Sequence, residues 1–143
     1  MRPTITSDDM CVTDAYTTAD RTIKRFDIVI FKLPVSETQR GAKVVSDHQV
    51  KRVIGLPGET LELKDNKLYV DEQLINEPFE RITSETDPKR NFGPVRIPED
   101  EYFVLGDNRP NSSDSRYYQP TTIKRADIFS KVIEIKKDYY AGH

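Results

Sequence analysis

The sequence predicts a mainly β fold of several short antiparallel strands with one long inserted connection. Two observations carry this prediction: apolar residues occur in short β-branched or alternating runs, and turn-forming Pro, Gly, Asp or Asn residues separate these runs. The length of 143 residues suits one domain, 1–143, which is long enough to bury a core. Because 36% of the residues are hydrophobic and 32% are charged, we expect a compact core beneath a strongly solvated surface.

The first predicted strands are the most apolar. Residues 27–31 form a β-branched run closed by Pro34, which is typical of a strand covered on both faces. A second such stretch lies within residues 44–56 and ends at Pro57-Gly58, a strong turn signal.

A meander of shorter strands is expected next. Residues 60–63 and 68–70 alternate apolar and polar side chains, and Asp65-Asn66 between them suits a tight hairpin turn with positive φ. The pair Asp71-Glu72 can turn the chain again before the apolar residues 74–75.

The remaining chain is predicted to contain a long connection and two more strands. Residues 78–98 are polar, proline-bearing and weakly patterned, and we interpret them as this connection and as the most mobile part of the chain. Residues 101–105 return to a strand, and residues 129–135 alternate well enough to form the closing strand. A single helical turn fits within residues 121–127.

Composition argues against several classes of function. The formal net charge of −2 comes from nearly balanced acids and bases with no basic stripe, so no nucleic-acid partner is expected. The single cysteine, Cys11, excludes an intrachain disulfide and a cysteine-rich zinc site. Only His48 and His143 are available for histidine chemistry, and His48 has no triad pattern around it. No apolar run reaches the ~20 residues that span a bilayer, and no signal-peptide pattern opens the chain.

Residues 106–116 are the most informative polar stretch. They concentrate Asp, Arg, Ser and Asn side chains directly after the apolar residues 102–105. Such side chains capture backbone N–H groups, and arginine bridges carboxylates with its planar fork. The stretch is either a surface turn tied down by its own hydrogen bonds or a rigid loop that builds a site.

Lys51 and Arg52 lie in an apolar strand that runs into the Pro-Gly turn. As strand neighbours they point to opposite faces, so we expect one cation to face the interior while the other stays in water. An exposed lysine with a pKa near 10.4 is almost entirely protonated at pH 7, whereas burial lowers the pKa and creates a general base. The plainer alternative is an ordinary solvated Lys-Arg pair.

Taken together, residues 51–58 (Lys-Arg-Val-Ile-Gly-Leu-Pro-Gly) and residues 106–116 resemble two signature segments of the type I signal peptidases. Residues 27–31 are similar to a third, the strand that in the family usually follows Arg-Gly. Phe26 stands where that Gly would be, a departure that puts the preceding turn in question, and Glu59 replaces the family's usual Asp. The order and spacing of these segments cover most of the chain.

The resemblance implies a serine endopeptidase that uses a Ser-Lys dyad. Lys51 would be the neutral general base that takes the proton from the nucleophilic serine. Ser112 would hydrogen-bond and orient this lysine. Asp114 and Arg116 would form a structural ion pair behind the site, and Asp107 would help to hold the loop.

The nucleophile itself is not in this sequence. The family's first signature segment reads Ser-Met-x-Pro-Thr, and the chain begins Met1-Arg2-Pro3-Thr4, so it matches from the residue after the serine. The serine is therefore expected immediately before Met1, and the family's upstream membrane anchor and an oxyanion-hole residue are missing as well. Ser7 lies on the wrong side of the segment. We expect the chain as written to be inactive, because losing a nucleophile costs on the order of 10⁶-fold in kcat in a serine protease.

Two explanations fit this beginning. Either Met1 is a mis-assigned start within a longer gene, which we favour, or the chain is an anchorless relic. The intact Lys51 and Ser112 argue against long decay.

The resemblance also implies partners and location. The substrates would be secretory preproteins with small residues before the cut, and no metal or cofactor is implied. The complete enzyme would lie on the outer face of the cytoplasmic membrane, whereas we expect the chain as given, without its anchor, to be soluble.

Three other interpretations remain open. A non-catalytic peptide-binding pseudo-peptidase would keep the cleft and lose the chemistry. A self-cleaving SOS-repressor-type domain shares the Ser-Lys logic, although its loop would not be expected to match residues 107–116. A β-rich structural domain with chance similarity is the third.

Overall fold

The computed structural model describes residues 1–15, 22–33 and 48–142. It confirms the predicted mainly β fold, since the described ranges contain ten strands. The strands are β1 (Met10–Ala15), β2 (Ile28–Lys32), β3 (His48–Gly55), β4 (Thr60–Lys64), β5 (Lys67–Val70), β6 (Gln73–Ile75), β7 (Phe92–Arg96), β8 (Glu101–Leu105), β9 (Ile123–Lys124) and β10 (Ile128–Lys136).

Six strands form one antiparallel sheet in the order β1-β10-β2-β3-β8-β9. Strands β2, β8 and β10 confirm the strands predicted at residues 27–31, 101–105 and 129–135. Strand β3 lies within the predicted stretch 44–56, of which residues 44–47 fall outside the described residues. The predicted helical turn is a short 3-10 turn at Arg125–Asp127 that leads into β10.

The other four strands form a second antiparallel sheet in the order β6-β5-β4-β7. Its two hairpin turns confirm the turn predictions. Asp65 and Asn66 have φ values of 50° and 65°, and Asp71 and Glu72 have values of 49° and 70°. Asn and Asp tolerate this left-handed region better than most residues, which accounts for Asp65, Asn66 and Asp71 but not for Glu72.

Strand β3 from Arg52 onward and strand β8 from Tyr102 onward are buried on both faces. Val53 and Val104 belong to one apolar cluster, and Ile54, Phe103 and Leu105 belong to another that includes the second sheet. All five side chains are fully buried, and each such burial contributes about 1.5–3 kcal/mol. The ends of these two strands are therefore held rigidly, and the polar residues discussed below are attached to them.

Gly55, at the end of β3, permits the close approach of the second sheet. A Cβ at this position would lie 2.3 Å from Ile97 Cδ1 and 2.9 Å from Leu61 Cδ1, well inside normal contact. A larger residue would therefore force the ends of the Ile97 and Leu61 side chains to move.

The segment 78–98 differs from the long connection that we predicted. Phe92–Arg96 forms strand β7, which pairs with β4 and places Val95 opposite Leu61. Gly93 and Pro94 interrupt the apolar alternation that would have marked this strand in the sequence. Among the described residues, no helix is long and apolar enough to cross a membrane.

Candidate active site

The candidate site lies where β3 and β8 run side by side. Arg52 pairs with Leu105 in the antiparallel register, so Lys51 lies beside Gly106, the first residue after β8. Gly106 opens residues 106–116, which we call the site loop. The sheet therefore brings together the two polar segments that the sequence analysis singled out.

Lys51 and Ser112 meet at Gly106. A Cβ on Gly106 would lie 2.1 Å from Ser112 Oγ, 2.7 Å from Ser112 Cβ and 3.7 Å from Lys51 Nζ. The hydroxyl of Ser112 is buried and has no hydrogen-bond partner among the described residues, so the hydrogen bond to Lys51 that the resemblance implies is not formed. The glycine provides the space in which the lysine and the serine approach each other.

The surroundings of Lys51 favour its neutral form. Burial is the largest influence and lowers the pKa of Lys51 below its ordinary value of 10.5. The charge of Asp114 raises this pKa, that of Arg116 lowers it, and that of Asp107 raises it again, so the charges partly cancel. Within the described part of the chain, no carboxylate forms an ion pair with Lys51, and desolvation therefore dominates.

Arg52 is buried and Lys51 is half-buried, which corrects our expectation that one of the two neighbouring cations stays in water. Its side chain donates to Asp107 through Nε (3.0 Å) and Nη2 (2.8 Å) and to the carbonyl oxygen of Phe26 through Nη1 (2.9 Å). The guanidinium lies 4.0 Å from the centre of the Phe79 ring. Asp107, whose side chain is fully buried, also accepts a hydrogen bond from the hydroxyl of Thr4. Pairing and ring stacking thus compensate for the burial of this arginine.

Arg116 and Asp114 form a buried ion pair behind the loop. Arg116 Nε and Nη2 each donate to the Asp114 carboxylate at 2.9 Å, and both side chains are fully buried. Asp114 also accepts from the backbone N–H of Gly106 at 3.2 Å. Arg116 Nη1 donates to Asp87 at 2.9 Å, and Nη2 donates to the carbonyl oxygen of Arg109 at 2.7 Å. This network fixes the shape of the loop around Gly106.

Sequence reasoning missed Asp87 and Glu77, which come from outside the signature segments. Glu77 accepts from Arg109 Nη2 at 2.5 Å, and both side chains are almost fully buried. A count of charges could have revealed them, because Arg52, Arg109 and Arg116 outnumber the two aspartates of the site loop. Buried arginines need carboxylate partners, so further acids had to come from elsewhere in the chain.

The first residues of the chain also reach the site. Burial and then the charge of Lys51 lower the pKa of the Met1 amino group, while the charge of Asp107 raises it. The amino group therefore lies within electrostatic range of both residues. Ser7, by contrast, is exposed. Within the described ranges, no group of three or more His, Cys, Asp or Glu side chains is placed to hold a metal ion.

Comparison with known proteins decides the family. The sequence model of "Signal peptidase, peptidase S26" matches residues 1–135. The chain belongs to the signal peptidase family. It is 38% identical over 132 residues to signal peptidase I V of Bacillus subtilis, an alignment that covers 84% of this chain and 71% of the relative. It is 35% identical over 122 residues to signal peptidase I P of Bacillus subtilis subsp. natto, covering 81% of this chain and 61% of the relative.

A solved structure agrees with the assignment. The crystal structure of a signal peptidase I from Enterococcus faecalis superposes with a TM-score of 0.61 at 33% identity. The match covers 80% of this peptidase-family chain and 98% of the crystallised one. The chain spans about half to seven tenths of the length of the curated relatives named here and of a third, a signal peptidase I of Bacillus amyloliquefaciens.

Proposed function

We propose that this chain forms the catalytic domain of a type I signal peptidase in which Lys51 is the general base. The observation that carries this proposal is the contrast between Lys51 and the other cations around it. Arg52, Arg109 and Arg116 are each paired with a buried carboxylate, whereas Lys51 is half-buried, unpaired among the described residues and placed beside Gly106 of the site loop. A lysine held in this way can accept a proton near neutral pH.

The nucleophile in this proposal is a serine joined to the amino group of Met1. The charge of Lys51 lowers the pKa of that amino group, which supports a position of the preceding residue on the same side of the site as Lys51. Lys51 takes the hydroxyl proton as the serine attacks the scissile carbonyl carbon. The resulting lysinium then gives this proton to the leaving amine, and an acyl-enzyme remains. Lys51 next takes a proton from water as the water oxygen attacks the ester carbonyl carbon, and it gives this proton to the serine oxygen when the ester C–O bond breaks.

The other site residues support this base. Ser112 has a buried hydroxyl with no partner among the described residues, and a small movement toward Nζ would let it orient the amine. Asp107 holds Arg52 and Thr4, and thereby connects the first segment of the chain to β3. The Asp114–Arg116 pair shapes the loop that carries Ser112.

Substrate class and location follow from the same proposal. The substrates are secretory preproteins whose extended segment has small residues before the cut and pairs beside a strand edge. The complete protein acts at the outer face of the cytoplasmic membrane, attached by an anchor upstream of Met1. The mechanism uses no metal or cofactor.

The test compares three proteins: the chain as given, the chain preceded by Gly-Ser, and the chain preceded by Gly-Ala. Each is incubated with a signal-peptide substrate whose cut site has small residues, and the products are identified by mass spectrometry. Cleavage at that site by the Gly-Ser form alone is the expected result. Absence of cleavage by a folded Gly-Ser form would contradict the proposal, and measurable peptide binding by this form would then favour the pseudo-peptidase.

A further inference from the structure

Segment 1–9, which would directly follow the nucleophile, is held in place outside any sheet, by side chains and by one backbone hydrogen bond from the Tyr140 N–H to the carbonyl oxygen of Asp8. Strand β1 begins only at Met10, so none of the preceding residues belongs to a strand. The hydroxyl of Thr4 donates to Asp107 in the site loop, which is one tie to the site. A second set of ties comes from residues 137–140, which follow β10 and lie beyond the part of the chain that the family model matches.

Lys137 makes the central contact of this second set. Its Nζ donates to the carbonyl oxygen of Thr4 at 2.6 Å and to Asp9 Oδ2 at 2.8 Å. Thr4 is therefore held from two directions, by Lys137 through its backbone and by Asp107 through its side chain. Asp107 is in turn fixed by Arg52 on β3, next to Lys51.

The carboxylate of Asp9 is the other half of this contact. Only 1% of its side chain is exposed, and it also accepts from the backbone N–H groups of Thr6 (2.8 Å) and Asp138 (3.0 Å). The hydrogen bond from Lys137 is the largest cause that lowers the pKa of Asp9 below its ordinary range, and the Thr6 bond adds to it while burial opposes both. The carboxylate is ionised and accepts several hydrogen bonds, which distinguishes it from a solvated surface charge.

We propose that Lys137 and Asp9 are positioning residues that clamp segment 1–9 against the site and set where the residue before Met1 meets Lys51. The catalytic part of this inference rests on the proposed function. No reacting atom touches either residue. Their effect passes through Thr4, which lies three residues after Met1 and is hydrogen-bonded both to Lys137 and to Asp107.

The expected kinetic effect follows from geometry. Displacing a reacting group by about 1 Å can cost on the order of 10²-fold in rate, even when the change is remote from the chemistry. Loss of Lys137 leaves the tie between Thr4 and Asp107 in place, so we expect a smaller loss of about 10-fold in kcat. Substrate contacts are not removed, so KM should change by less than about twofold.

The experiment uses the Gly-Ser-extended protein and its Lys137→Met variant, with Lys131→Met as the matched control. Lys131 is on β10 and pairs with Asp27 at 3.1 Å, so the control also removes a lysine-aspartate pair but leaves segment 1–9 untouched. The kcat of a signal-peptide substrate should fall about 10-fold in the first variant and stay within twofold in the control. Lys137→Arg, which can still donate to Asp9, should recover most of the loss. Equal kcat values for the two Met variants would overturn the proposal.

Amide hydrogen exchange provides a readout that does not depend on catalysis. The N–H groups of Ile5 and Thr6 are bonded to Met1 O and to Asp9, so they report directly on the clamped segment. Their exchange should accelerate about 10-fold or more in Lys137→Met and in Asp9→Asn, and remain unchanged in Lys131→Met. Unchanged exchange would overturn the clamp even if kcat falls.

This pair of measurements separates the two proposals. If the extended parent shows no cleavage, the proposed function and the catalytic part of the clamp fail together. Faster exchange in Lys137→Met would still support the clamp as a structural feature.

Discussion

Gly106→Ala is the sharpest prediction because it adds a single methyl group between Lys51 and Ser112. The new Cβ would lie 2.1 Å from Ser112 Oγ and 2.7 Å from Ser112 Cβ. Ser112 would have to move by about 1 Å to regain an ordinary contact. Gly106 does not have a positive φ, so steric overlap rather than backbone strain causes the effect.

The magnitude has two opposing contributions. Overpacking a well-filled site costs about 1–3 kcal/mol, and replacing Gly by Ala recovers up to about 1 kcal/mol through the unfolded chain. We therefore expect the free energy of unfolding to fall by about 1–2 kcal/mol, which corresponds to a decrease of about 3–6 °C in Tm. Because Ser112 is displaced from Lys51, kcat of the Gly-Ser-extended protein should fall on the order of 10²-fold.

A double-mutant cycle assigns the effect to Ser112. Ser112→Gly removes both clashing atoms. In the Ser112→Gly background, Gly106→Ala should therefore no longer lower the free energy of unfolding. The coupling between the two substitutions, measured by thermal or urea unfolding, should be at least about 1 kcal/mol. If Gly106→Ala retains the parent's Tm and kcat, the described packing of Ser112 against Gly106 is wrong.

Three further predictions concern single side chains. Lys51→Met in the Gly-Ser-extended protein should reduce kcat on the order of 10⁶-fold while Tm changes little, and parent-like turnover would remove Lys51 from the mechanism. Arg116→Ala should lower the free energy of unfolding by about 3–5 kcal/mol because it leaves two buried carboxylates unpaired, whereas the exposed control Arg96→Ala should stay within about 0.5 kcal/mol in the same urea titration. Phe26 has φ of 75°, so the free energy of unfolding of Phe26→Gly should exceed that of Phe26→Ala by about 1 kcal/mol in urea unfolding, and the reverse order would disprove the strain.

The features that the sequence predicted correctly depend on neighbouring residues. Alternating side chains gave β4 and β5, and the intervening Asp65-Asn66 pair adopts the positive φ values that a tight hairpin requires. The buried run at residues 101–105 became β8 with the same bounds. Local pattern and turn chemistry were sufficient in these places, and the resemblance supplied the family.

The missed features depend on residues far apart in the sequence. We expected one of Lys51 and Arg52 to stay in water. Arg52 is instead buried, because Asp107, 55 positions later in the sequence, neutralises its charge. Asp87 reaches Arg116 across 29 positions from a segment that we interpreted as a loose connection. Strand β7 exists because it pairs with β4, despite the Gly and Pro in its own sequence. Such partnerships are set by the fold and leave little local signal.

The most direct test of the central claim is an NMR titration of the Lys51 side chain, followed through its ε-carbon. The Gly-Ala-extended protein is suitable because it lacks the proposed nucleophile and moves the free amino group away from Lys51. The amine is protonated below its pKa and neutral above it, so a lowered pKa extends the neutral form to lower pH. We predict a titration midpoint clearly below the ordinary lysine value of 10.5 and the same midpoint in the acid limb of kcat/KM for the Gly-Ser form. A midpoint at or above the ordinary value would contradict the assignment of Lys51 as the general base.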